Sequence, residues 1–128
     1  MPYFVDGGWD EDLERYFRAD VVVHADGTVQ ARCSPEHIEQ VIEGEIVVDW
    51  PALSARIDQP TLLARAPGSF GPAGSPPLLT RKDADATAAR MADCTVVDGV
   101  GNHITFMFGG GAQVLTGAVA AFLAGSRS

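Results

Sequence analysis

The sequence predicts an α/β protein forming one structural unit, and three observations carry that prediction. The second half alternates short apolar runs with helical patterns in the order strand, loop, helix, strand, turn, helix. That order reads as two parallel strands joined by a right-handed crossover. Two valine-rich runs flank Asp26-Gly27, the signature of a β-hairpin. Helix-start residues stand before apolar-periodic stretches along the chain.

Taken in order, "GGWDEDLERYFRAD" predicts a short helix, with Leu13, Tyr16 and Phe17 on one face and acids in the first turn. "VVVHADGTVQARC" is the hairpin. "SPEHIEQVIEG" is a second helix, with Ser34 as N-cap, Pro35 in the first helical position and Gly44 as the stop. Asp49 caps a third short helix, "WPALSARI". "PTLLARA" is a nearly continuous apolar run, as expected of a strand buried on both faces. The glycines and prolines of "PGSFGPAGSPP" make a long loop. Thr80 and Asp83 form a variant capping box at the head of "RKDADATAARMA", with Ala84, Ala88 and Met91 on one face. "CTVVDG" is the next strand. The closing helix, "GGGAQVLTGAVAAFLAG", carries a broad apolar stripe through Val114, Leu115, Ala118, Val119, Phe122 and Leu123 and is expected to be well buried.

The 128 residues are 46% apolar and 20% charged, the balance of an ordinary globular domain. The net charge of −8 and the scatter of the nine basic residues argue against a nucleic-acid partner, which needs clustered Lys and Arg. No apolar run reaches the roughly 18 residues of a membrane span, and the acidic start does not resemble a signal peptide. The expectation is a cytoplasmic protein with no membrane partner. Cys33 and Cys94 fall in no CxxC pattern and are expected to be small buried hydrophobes rather than a disulfide.

The residue that invites a functional reading is His103, in "VVDGVGNHI". It follows the C-terminal end of a predicted parallel strand, the edge at which open α/β sheets bind ligands. Gly99 and Gly101 allow a sharp turn, and Asn102 tolerates a left-handed backbone. A histidine on such a turn suits general-base chemistry, and it equally suits a plain loop residue hydrogen-bonded to nearby backbone. Other constellations carry less. "GVGNHI" has Ile104 where a dinucleotide fingerprint needs its third glycine. Gly109 to Ala112 could cradle a phosphate at a helix N-terminus, but without the P-loop lysine they read as flexibility at the helix start. His24, His37 and His103 share no metal-ligand spacing, so no metal or other cofactor is expected.

These residues resemble the C-terminal part of the α/β-hydrolase-fold enzymes, the esterase- and lipase-like superfamily. "IDQPTLLARA" looks like a core strand of that family. "TRKDADATAARMADCTVVDGVGNHITFMFGGGAQVLTGAVAAFL" is similar to its closing helix, final strand, catalytic histidine turn and last helix. The hairpin "VVVHADGTVQARCSPEHI" resembles the transition from lid to core in several members. The likeness spans roughly residues 20 to 124, and its sharpest point is the histidine turn.

The resemblance implies a partial α/β-hydrolase fold. Residues 1–58 would be helix, hairpin and helices from the lid region, and residues 59–128 a C-terminal βαβα part of the core. It implies His103 as the catalytic base of an esterase-like enzyme. It also shows what is absent. No G-x-S-x-G elbow exists to supply a nucleophile; Ser69 and Ser75 lie in the proline-rich loop and Ser126 in the tail. The loop after "TLLARA", where many members carry the acid that orients the histidine, has no Asp or Glu. The expected function is therefore that of a fragment or truncated relative of a hydrolase, with a small-molecule substrate only in the complete enzyme. The alternative is a non-catalytic remnant that self-associates through an open sheet edge. The expected partner is the missing N-terminal half of the fold or a homodimer mate.

Overall fold

A computed structural model of the chain describes residues 9–72 and 74–125. It is a mixed α/β structure with two small sheets. Helix α1 (Glu11–Ala19) starts where Asp10 accepts the Leu13 N–H at 2.8 Å, and Leu13 is fully buried. Strands β1 (Val21–Val23) and β2 (Val29–Ala31) pair antiparallel. Gly27 supplies the positive φ that the turn requires, and Asp26 accepts both the N–H and the hydroxyl of Thr28. Helix α2 (Pro35–Ile46) begins at a Ser34 cap, and α3 (Trp50–Ser54) at an Asp49 cap.

The second half builds the unit that positions the histidine. Strands β3 (Thr61–Arg65) and β4 (Cys94–Asp98) pair in parallel, with Thr61 opposite Cys94 and Arg65 opposite Asp98. The connection between them carries α4 (Arg81–Ala88). Its N-terminal end lies on the face that carries Arg65, whose guanidinium reaches the Leu79 carbonyl. Helix α5 (Gly109–Gly125) lies on the other face, where Leu62, Thr95 and Val97 share a groove with Ala118 and Phe122. The order is thus helix, two-stranded sheet, helix.

Several expectations fail, each for a local reason. Gly44 does not stop α2, because its φ is not positive; the helix runs to Ile46 and is capped at Val47. Helix α4 ends at Ala88, beyond which Arg90 and Met91 donate to carbonyls only three residues back, so Met91 leaves the helical face. Thr80 does cap Asp83 N–H, but the Asp83 carboxylate takes the Thr80 hydroxyl rather than its backbone N–H. Neither cysteine is buried: Cys33 is exposed and Cys94 half-buried, both as free thiols. Strand β3 is half-buried from Thr61 to Ala64 rather than covered on both faces.

Helix α5 is the largest departure. Of its 17 residues only Gly111 is buried, and Val114, Val119 and Leu123 are exposed. The sheet beneath it is two strands wide, too narrow to cover so broad a stripe. The shortage is general. A folded monomer of this mass exposes about 6,500 Å², whereas this chain exposes 9159 Å². Among the described residues the buried apolar side chains are Leu13, Ala66 and Ala84.

Candidate functional site

The site grows out of the C-terminal ends of β3 and β4. Their pairing continues past the last ladder residues: Gly99 N–H donates to Arg65 carbonyl at 2.8 Å, and Gly68 N–H to Gly101 carbonyl at 2.9 Å. The second contact is so close that a Cβ on Gly68 would lie 2.8–2.9 Å from Gly101 and Asn102 backbone atoms. Gly101 itself has φ +90°, open to glycine and strained for other residues. The loop after β3 and the loop after β4 are therefore clamped glycine to glycine.

Asn102 works differently from the expectation. It does not take a left-handed backbone, since among the described residues every positive φ belongs to glycine. Its side-chain oxygen accepts the N–H groups of Ile104 and Thr105, each at 3.0 Å. Thr105 hydroxyl in turn accepts Asn102 N–H at 3.0 Å. This reciprocal pair opens a 3₁₀ turn over Thr105–Met107 and fixes the backbone on both sides of His103.

His103 thus sits in a loop just past β4, as the sequence predicts, and is exposed. Its ring lies against two phenylalanines. Phe70, from the loop after β3, meets it at 5.3 Å between centroids and 78° between planes. Phe106 lies nearly parallel, at 6.5 Å and 21°. Among the described residues no carboxylate forms an ion pair with this imidazole.

Below the loop lies a half-buried ion pair that the sequence reading did not single out. Arg65 Nε and Nη2 donate to the two Asp98 carboxylate oxygens at 2.8 and 3.0 Å. The Arg65 side chain is 8% exposed and that of Asp98 41%. The hydrogen bonds from Arg65 hold the Asp98 carboxyl below the usual carboxylate range, helped by the Arg65 and Arg81 charges and opposed by burial. The signal was present in the register: an Arg ending one strand and an Asp ending its parallel neighbour become cross-strand partners.

The glycine run Gly109 to Gly111 serves packing. A Cβ on Gly111 would fall 2.7–2.8 Å from the Phe106 backbone, and one on Gly109 would fall 2.8 Å from the Asp10 carboxylate. That acid already occupies the neighbourhood of the α5 N-terminus, where a phosphate would have to sit. The other histidines stand apart: His24 contacts Gln30 at 3.2 Å in the hairpin, and His37 lies in the first turn of α2. Among the described residues no cluster of His, Cys, Asp and Glu could hold a metal ion. No helix among them is long and apolar enough to cross a membrane.

No family model, curated protein or solved structure matches this chain.

Proposed function

We propose that the chain is the histidine-bearing part of an α/β-hydrolase-like enzyme, with His103 as general base in ester hydrolysis and the nucleophile supplied from outside these residues. The observation that carries this reading is the clamped loop pair. It holds a histidine at the C-terminal edge of two parallel strands, between helices on opposite faces, where open α/β sheets place their ligands. In that role His103 takes the proton of an attacking hydroxyl and returns it to the leaving alcohol. The oxyanion donors belong with the nucleophile. The substrate is a small-molecule ester of the complete enzyme, and no cofactor takes part in the reaction.

Three observations test it. Alone, the chain should hydrolyse p-nitrophenyl acetate no faster than free imidazole at equal concentration, because a base without nucleophile or oxyanion donors has nothing to activate. Saturable turnover blocked by a serine-directed inhibitor would overturn the division of labour. The genomic sequence adjoining that of this chain should encode a strand–turn–helix segment with a G-x-S-x-G elbow. Co-expression of that segment should give esterase activity that His103→Gln abolishes. Activity indifferent to His103→Gln would refute its role as base.

A second reading, a remnant that self-associates, rests on the free edge of β3. Thr61 and Arg65 direct their backbone groups toward β4. By strand alternation, Leu62 and Ala64 direct theirs away from it. Among the described residues no strand pairs on that side. A two-fold mate would add its own β3 there, antiparallel.

A further inference from the structure

We infer that Phe70 and Phe106 are positioning residues for His103, setting the plane of its imidazole by ring packing in the place where a triad uses a carboxylate. The inference rests on the reading of His103 as a base for its catalytic meaning, and on geometry alone for its content.

A triad acid does two things: it fixes the orientation of the imidazole and it stabilises the imidazolium. The loop after β3 has no acid to do either. What that loop does present to His103 is Phe70, and the placement is built. The Gly68–Gly101 clamp aligns the two loops, and each ring stands two residues beyond its glycine. Phe70 is then tied back by its N–H to the Pro76 carbonyl at 3.1 Å.

Phe106 is anchored as firmly. Its N–H donates to Asn102 carbonyl at 3.0 Å, its backbone is pressed by Gly111, and its ring edge lies 3.4 Å from where a Gly99 Cβ would stand. Two rings held by separate loops meet the imidazole with their planes at 78° and 21° to it. One such contact leaves a ring free to turn about the other axis. Two of different kinds, one edge-on and one nearly parallel, restrain both. Aromatic pairs favour these edge-to-face and offset-parallel arrangements because of their ring quadrupoles. His103 stays exposed, so the restraint does not seal the imidazole away from a substrate.

The test is proton NMR on the full chain labelled with 13C-histidine. Three histidines give three ring signals, and His103→Gln assigns the one that matters. The His103 ring protons should be shifted by the neighbouring ring currents away from the positions of His24 and His37, with cross-peaks to both Phe70 and Phe106. Phe70→Leu should move them back toward the His24 position, and Phe70→Tyr should restore the wild-type shift. His103 signals at free-imidazole positions in the wild type, or unmoved by Phe70→Leu, would overturn the inference. The wild-type cross-peaks decide the matter without any variant that fails to fold. An esterase assay with the nucleophile-bearing segment separates the two claims: intact ring contacts with no hydrolysis would refute the base role and leave the positioning geometry standing.

Discussion

Gly68 and Gly101 touch through their main chains, the N–H of one on the carbonyl of the other at 2.9 Å, with no room for a methyl group between them. Gly68→Ala must therefore push the two loops apart. Overpacking of this kind costs about 1–3 kcal/mol. Thermal melts should show the loss. The His103 ring signals should move with it, because the clamp aligns Phe70 with the imidazole. Gly74→Ala, where a Cβ meets nothing, serves as the contrast: its φ of +86° is strained, but the strain lies away from the clamp.

The Arg65–Asp98 pair gives a pH prediction. The Asp98 carboxyl is held below its ordinary value in the folded state, chiefly by its hydrogen bonds from Arg65. A depressed carboxylate stabilises the fold above its unfolded pKa, about 3.9, and loses that contribution as pH falls through the folded value. The wild type should thus be more stable than Asp98→Asn at neutral pH, and the difference should close only below about pH 4. Asp12→Asn, which breaks a pair exposed on both sides, should hardly change the melt. Melting curves across the acid range check both.

Leu13 anchors α1 and is fully buried. Leu13→Ala should cost about 2–5 kcal/mol. It should also loosen the contact between Tyr16 and Phe108, whose rings meet at 5.4 Å and join α1 to the turn before α5. Near-ultraviolet circular dichroism should report that loosening, together with denaturant melts.

Assembly follows from the free edge of β3. Light scattering should find a particle larger than the 13.5 kDa chain. Ala64→Pro removes an N–H that points away from β4 and leaves the β3–β4 ladder bonds in place. It should weaken association if another strand pairs there. A clean monomer in the wild type would sink the self-association reading, which needs that edge covered by a second copy. Leu63→Lys would be a poor probe of that edge, because Leu63 shares the α4 face with Arg65 and is already half-buried within the chain.

Much of this architecture was legible because the signals are local. Asp26-Gly27, Ser34-Pro35, Asp49 and Thr80 each act within a few residues, and each does what its chemistry implies. The position of His103 was legible for the same reason, being set by the end of β4 and the glycines after it. Two kinds of feature were not. The Phe70 and Arg65 contacts join residues more than thirty positions apart and depend on the register of β3 against β4. Burial was the other: a stripe such as that of α5 shows which face wants covering, not whether this chain has enough sheet to cover it.

Helix α2 shares this shortage of cover. Ile38, Val41, Ile42 and Ile46 line one side of its 12 residues, and all four are exposed, Ile46 at 76%. A helix of this length without tertiary support is marginal in water. Its amides should therefore trade protons with solvent nearly as fast as an unstructured peptide, while those of β3 and β4 trade slowly. Wherever a binding partner covers the isoleucine face, that contrast should vanish, and the slowed amides of α2 would mark the footprint of whatever the chain meets in the cell.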